Sequence, residues 1–328
     1  MKLFMYNYRG FEEKQYVDYY SKELGVEVAT TADAPSPENI EQLKGFDCIS
    51  IITTPTDRAM LTRLKELGVK GVLTRSIGVN HIDVKAAREL GIVVCNASYP
   101  PDGVANFAIM LMLMSCRKVV PIMKKAAMQE YALKGKKGKE LSISTVGVLG
   151  TGRIGRTVIE HLSGFGCKIL AYDVYENESV KKYAEYVDKD TLFAQSDIIT
   201  IHVPFLEENY HFIGEEELAK MKDGVILINT ARGELVDTQA LIRAIESGKV
   251  GSAALDVLED ESDLYYKDLT EQPLAKHERA ILASFPNVIL TPHVAFYTEQ
   301  SIAAMIQCTF ESCVAICNGE QSPHEWPM

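Results

Sequence analysis

Thr145-Val146-Gly147-Val148-Leu149-Gly150-Thr151-Gly152-Arg153-Ile154-Gly155, with Lys168-Ile169-Leu170-Ala171-Tyr172-Asp173 behind it, is the stretch that decides the fold. A β-prone run enters three glycines spaced G-x-G-x-x-G, a helical pattern continues to about Leu162, and a second β-prone run stops at an acid. Each glycine has its own reason. Gly150 permits a tight turn, Gly152 lets the backbone approach a pyrophosphate, and Gly155 lets the helix sit close on the strand. Amides at the helix start can then hold phosphates, and Arg153 and Ile154 belong to the same loop. Asp173, eighteen residues after Gly155, is placed to accept from a ribose 2′-hydroxyl and to repel a 2′-phosphate, which predicts NAD rather than NADP. The competing reading is a glycine turn with a surface aspartate, and it has to ignore the strand, turn, helix, strand and acid order.

Working outward, the series continues through β-prone runs at Ile198–Val203, Val225–Asn229, Ser252–Leu255 and Val288–Leu290. Upstream, Leu3–Tyr6, Val26–Ala29, Cys48–Thr53, Val72–Thr74 and Ile92–Cys95 alternate with polar helical stretches. Alternation of this kind predicts parallel sheets flanked by helices. A long apolar helix is expected from Val104 to about Lys125. The last thirty residues space Ile302, Met305, Ile306, Phe310, Cys313, Val314 and Cys317 as one helix, with Thr298 as cap and Gly319 as stop. That helix must bury its stripe, and a return to the first lobe is expected. The fold class is therefore α/β, with two doubly wound parallel-sheet (Rossmann/flavodoxin-like) domains and a cleft between them. Residues 1–99 and 297–328 make the substrate (catalytic) domain, and residues 100–296 the NAD-binding Rossmann domain.

Composition narrows the partners. A chain of 328 residues exceeds the size at which one core stops growing, in keeping with two domains. A net charge of −11 works against a nucleic-acid footprint, and the basic stretch Lys134–Lys139 reads as a solvated loop. The longest apolar run, Phe107–Met114, falls short of the roughly 18 residues a membrane span needs, and the four-residue apolar start is too short for a signal-peptide core. Seven scattered cysteines with no Cys-x-x-Cys pair indicate neither a disulfide framework nor a zinc site, and fit a reducing cytoplasm. Their one cluster, Cys308, Cys313 and Cys317, reads as helix packing, so no metal is expected.

The segments Ile228-Asn229-Thr230-Ala231-Arg232-Gly233-Glu234-Leu235-Val236-Asp237, Ala254-Leu255-Asp256-Val257-Leu258-Glu259-Asp260-Glu261 and Thr291-Pro292-His293 together resemble the D-2-hydroxyacid dehydrogenase family, its D-lactate dehydrogenase branch most closely. Arg75-Ser76-Ile77-Gly78-Val79-Asn80-His81-Ile82-Asp83 and Tyr99-Pro100-Pro101 resemble the same branch, so the likeness spans nearly the whole chain. It implies NADH-dependent reduction of a small 2-oxo acid to its D-2-hydroxy acid, pyruvate to D-lactate first. Arg232 would polarise the carbonyl and anchor the carboxylate, its planar fork suiting two oxygens at once. His293 would donate the proton, and Glu261 would take its other ring N–H and stabilise the imidazolium. Ile77 and Gly78 would hold the substrate carboxylate through backbone amides, with Tyr99 and Phe296 facing the side chain. Thr230, Ala231 and Asp256 would lie at the nicotinamide end, and His202, Val203 and Pro204 would line the cofactor.

Taken singly, each residue has a plainer reading. Arg232 could be a surface ion-pair partner, and Glu261 sits in an acidic run (Glu259, Asp260, Glu261, Asp263) that could be a solvated loop. His293 could be a core histidine, as the remaining His81, His161, His211, His277 and His324 are taken to be structural or surface. Two departures stand out. Asn106 replaces the acid that related enzymes carry early in the long helix, and Phe296 stands where many have tyrosine. The rivals are an NADH-responsive corepressor-like protein, disfavoured by a chain ending about 35 residues after His293, and enzymes for bulkier substrates such as 2-oxoisocaproate or phenylpyruvate. The Met- and Leu-rich long helix predicts a homodimer, with core burial as the competing account.

Overall fold

The computed structural model describes residues 1–261, 264–273 and 276–327, so Asp263 of the acidic run lies outside the described residues. The chain divides into two compact units, Met1–Pro100 with Tyr297–Met328, and Pro101–Phe296. The first unit runs β1 (Lys2–Met5), α1 (Gly10–Leu24), β2 (Glu27–Thr30), β3 (Cys48–Ile51), α2 (Arg58–Glu66), β4 (Gly71–Thr74), α3 (Val84–Leu90) and β5 (Val93–Cys95). Its strands form one parallel sheet in the order β2-β1-β3-β4-β5. Every residue of β3 and β4 is buried, as parallel strands covered on both faces require.

The second unit opens with α4 (Asp102–Cys116) and α5 (Val119–Ala127), where the sequence pattern suggested one helix. The axis bends by 61° at Arg117–Lys118, and Lys118 has a left-handed φ of 52°. Pro121 is the physical reason. It has no N–H to give the Arg117 carbonyl and its ring would strike that carbonyl in a continuous helix, but it is tolerated in the first turn of a new one. The unit continues with β6 (Thr145–Leu149), α6 (Arg153–Ser163), β7 (Lys168–Tyr172), β8 (Glu185–Tyr186), α7 (Lys189–Gln195), β9 (Ile198–Ile201), α8 (Glu215–Lys220), β10 (Val225–Asn229), α9 (Thr238–Glu246), β11 (Val250–Leu255), α10 (His277–Ser284) and β12 (Val288–Leu290). These strands form a parallel sheet ordered β12-β11-β10-β9-β6-β7-β8. The two-residue edge strand β8 escaped the sequence reading because it is too short to carry a period. Strand order reverses between β6 and β9, so their carboxyl ends, at Gly150 and His202, flank the crevice where doubly wound sheets bind ligands.

The final helix, α11 (Glu299–Asn318), packs against α1 and β4 within the first unit. The Thr298 hydroxyl accepts from Ser301 N–H at its start, and Gly319, at φ 75°, ends it. By length and hydropathy α11 could cross a membrane, which the apolar-run count did not anticipate; in this fold it buries Ile306, Phe310 and Cys313 in the core beneath β1 and β3. Asn106, the departure on α4, accepts a contact from His161 of α6 at 2.8 Å, and so helps join those two helices.

Candidate active site

The glycine loop takes the shape that its residue types demand. Gly150 has φ 92°, and a Cβ there would come within 2.7 Å of the His202 carbonyl. A Cβ on Gly155 would overlap the Gly150 carbonyl oxygen, whereas one on Gly152 would enter open space. The open side of Gly152, at the start of α6, is the cradle a pyrophosphate needs. Asp173 Oδ2 accepts from the Thr151 N–H at 2.5 Å and the Thr151 hydroxyl at 3.0 Å, and Tyr186 donates in turn to that hydroxyl at 2.8 Å. The acid is therefore held against the loop before any ribose arrives.

At the end of β10, Asn229 shapes the turn that presents Arg232. Its side chain accepts from Ala231 N–H at 3.0 Å and donates to the Arg232 carbonyl at 2.8 Å. The half-buried Arg232 guanidinium donates to the Ala231 carbonyl at 2.7 Å. Gly233 follows because nothing larger fits: a Cβ there would overlap the Leu258 carbonyl, so the arginine turn lies directly on the segment that leads to Glu261.

Glu261 Oε2 accepts from the Leu258 N–H at 2.8 Å, and Oε1 pairs with His293 Nδ1. His293 itself has φ 54°, a conformation a residue with a Cβ adopts only when its surroundings hold it there. They do so. Its N–H donates to the Asp256 carbonyl at 2.8 Å, its carbonyl accepts from the Tyr266 hydroxyl at 2.8 Å, and its ring stands edge-on to Phe296 with centroids 6.2 Å apart. Asp256, fully buried, takes three bonds from the same turn: the Thr291 hydroxyl at 2.5 Å and the Val294 and Ala295 amides at 3.0 and 2.8 Å. Its visible work is to fix the histidine turn, a role that the resemblance alone did not supply. Among the described residues nothing pairs with His293 Nε2. That nitrogen can give or take a proton while Nδ1 stays on its carboxylate.

His202, the other histidine at the crevice, is half-buried and bonded through Nε2 to Thr200 Oγ1 at 2.9 Å. Desolvation pushes its pKa down to about 3, so it is neutral at physiological pH and unsuited to donate a proton. Thr230, beside Ala231, is buried, and its hydroxyl has no partner among the described residues. An unpaired buried hydroxyl next to the Arg232 turn suits a polar cofactor group, and with the Gly152 cradle it makes the site a fit for a dinucleotide.

In the first unit, the Ile77–Gly78 loop is tied down by its carbonyls. Asn96 donates to Ile77 O at 2.7 Å and Ser76 to Gly78 O at 2.7 Å, while among the described residues the two amides meet no acceptor. Just ahead of the loop Arg75 is buried. It bonds to Glu13 at 2.9 Å, Ser50 at 2.7 Å and the Tyr6 carbonyl at 2.8 Å, an anchor that the sequence reading quoted only as part of a motif.

Comparison with known proteins follows the same lines. Residues 109–295 match the family described as D-isomer specific 2-hydroxyacid dehydrogenase, NAD binding domain. The chain is 42% identical over 312 residues to an aromatic 2-oxoacid reductase of Clostridium sporogenes, covering 94% of each. It is 44% identical over 296 residues to a D-specific alpha-keto acid dehydrogenase of Enterococcus faecium, covering 90% of each. Among solved structures, a D-lactate dehydrogenase of Treponema pallidum superposes with a TM-score of 0.90 at 32% identity, and one of Lactobacillus jensenii with NAD+ at 0.87 and 32%, each over 100% of both chains. With a glycine cradle for a dinucleotide and a histidine backed by glutamate in the same unit as the arginine, the chain belongs to the D-isomer specific 2-hydroxyacid dehydrogenases, an NAD-dependent oxidoreductase family.

Proposed function

We propose that the enzyme reduces a monocarboxylic 2-oxo acid to its D-2-hydroxy acid, with pyruvate to D-lactate the first reaction to test. The observation that carries this reading is the His293–Glu261 pair, with no partner for Nε2 of the histidine among the described residues. When bound, NADH supplies the hydride. Arg232 polarises the 2-oxo carbonyl and grips the carboxylate, to which the Ile77 and Gly78 amides also donate. His293 Nε2 passes its proton to the oxygen as negative charge develops there, leaving neutral imidazole; Glu261 stabilises the imidazolium before the transfer and keeps Nδ1–H in place after it. Thr230, Ala231 and Asp256 serve the nicotinamide end, and the loop Gly150–Gly155 with Asp173 holds the rest of the dinucleotide.

A bulkier substrate is the second reading. It is favoured by the aromatic 2-oxoacid reductase at 42% identity, and by Phe296, whose ring stands against His293 without adding a cation. A methylene more or less is worth only about 1–3 kcal/mol in such a pocket, so rates decide. The test is kcat/KM with NADH for pyruvate, 2-oxoisocaproate, phenylpyruvate, oxaloacetate and 2-oxoglutarate, with product chirality determined. A dicarboxylate preferred over all three monocarboxylates would overturn the proposal.

The homodimer belongs to the same proposal. Most of α4 is buried in its own unit, but α5 has no buried residue, and Met123, Met128, Tyr131, Leu133 and Ile143 are exposed on and after it. Such surface suits a second copy. A single sedimentation species of monomer mass at micromolar concentration would refute it. Among the described residues no disulfide is formed, in keeping with a cytoplasmic location.

A further inference from the structure

We propose that Cys48, Cys313 and Cys317 form a binding site for one thiophilic d10 metal ion of the Zn(II) type, separate from the catalytic machinery. The sequence groups Cys308 with Cys313 and Cys317, but the fold regroups them. Cys308 Sγ lies 3.3 Å from the Ser98 carbonyl, whereas Cys48, at the start of β3, meets the other two across the packed face of α11. Cys313 and Cys317, four residues apart, share that face. Gly71 of β4 allows the close approach, since a Cβ there would come within 2.6 Å of Ile316 and 3.2 Å of Cys48 Sγ.

The three sulfurs lie within 4.8 Å of one another, so some point lies within about 2.8 Å of all three. A zinc–thiolate bond is about 2.3 Å, and shifts of about half an ångström per sulfur would close the shell. Soft sulfur donors select zinc and its neighbours over magnesium or calcium. Cys48 and Cys313 are buried and Cys317 only half so, which gives an ion an entry side and leaves a fourth position for water. Nearby Lys70 is bonded to Asp47 at 2.9 Å; the ammonium favours a thiolate at Cys317 and the carboxylate opposes it. Arg232, Glu261 and His293 all belong to the other unit, so binding here can be read independently of turnover.

The experiment uses the full-length protein, reduced and stripped with a chelator, titrated with Cd(II) while the ultraviolet thiolate-to-metal charge-transfer band is followed. The expected result is saturation at one equivalent, displacement by Zn(II), and a rise in Tm of several degrees with Zn(II), because an ion that binds only the folded state stabilises it. Cys317→Ser, at a half-exposed position, should weaken binding more than tenfold and abolish the Tm shift. Cys167→Ser, at the other cysteine that is not fully buried, should leave both unchanged. No saturable band, or a band that survives Cys317→Ser, overturns the proposal.

Discussion

Glu261 holds His293 from one side only: one carboxylate oxygen pairs with Nδ1 of the ring, and the other is tied to the Leu258 amide at 2.8 Å. The carboxylate cannot swing away without breaking its backbone bond, and the imidazole cannot turn without losing its acceptor. The positive φ of His293 adds to this, since the turn tied to Asp256 leaves the ring little choice of direction.

Removing the charge of Glu261 while keeping its shape should therefore expose its electrostatic share. In Glu261→Gln the imidazolium loses its stabilising anion, so in the reducing direction the alkaline limb of the pH–rate profile should move to lower pH. His293→Ala should cost roughly 10²–10⁴-fold in kcat while NADH binding, followed by fluorescence, persists. An unchanged alkaline limb in the first variant would remove Glu261 from the proton step.

Gly233 tests how the arginine turn is placed. A Cβ there meets the backbone of Leu258, which no side-chain rotation relieves, so Gly233→Ala must push the Arg232 turn and the Leu258–Glu261 segment apart. Overpacking of this kind costs about 1–3 kcal/mol of stability, and kcat should fall further than the urea midpoint alone explains. Wild-type kcat in a folded Gly233→Ala protein would show that the spacing does not matter.

The glycine loop and Asp173 were legible because their spacing states a backbone requirement, and φ 92° at Gly150 with overlap at Gly155 meets it. Arg232, Glu261 and His293 were legible only through resemblance. Nothing in local spacing relates residues 232, 261 and 293; parallel pairing of β10 with β11 and of β11 with β12 sends the segments that carry them off the same carboxyl edge of the sheet. Asp256 shows what stayed hidden. Its three bonds to residues 291–295 are tertiary, and a sequence pattern carries no trace of them. The helix break at Lys118 was readable from Pro121, where the apolar pattern masked it.

Arg75 and Glu13 form a buried pair whose energetics can be measured. Burial pushes the Arg75 guanidinium below its ordinary value and the Glu13 carboxylate opposes this, at 2.9 Å with both side chains almost wholly out of water. Glu13→Gln leaves a buried cation without its anion, and the expected loss is about 3–5 kcal/mol in urea unfolding. A loss below about 1 kcal/mol would mean that the carbonyl partners of Arg75 suffice.

His202 should leave a signature in stability against pH. Its folded pKa of about 3 lies below the unfolded value, so between those values the unfolded chain binds the extra proton. The contribution is complete above the unfolded value and is lost as pH falls toward 3, with a slope approaching about 1.4 kcal/mol per pH unit. His202→Asn should flatten unfolding free energy against pH between about 6 and 4 relative to the parent. Parallel curves would show that the ring is protonated in the folded protein.

Asp173 is oriented in advance by Thr151 and Tyr186, so its Oδ2 is engaged before cofactor binds, while among the described residues Oδ1 meets the Tyr175 amide at 3.2 Å. A ribose hydroxyl that donates to this carboxylate makes a charge-assisted bond worth about 1.5–3 kcal/mol, and a 2′-phosphate in its place would meet repulsion. Asp173→Ala removes both effects at once. NADH should lose roughly ten- to a hundredfold in kcat/KM and NADPH should gain, so the ratio of the two moves more than either rate alone. Thr151→Val, which keeps the backbone bond but drops the hydroxyl, should reproduce a small part of that change if orientation matters. An unaltered ratio in Asp173→Ala would place cofactor choice elsewhere in the loop.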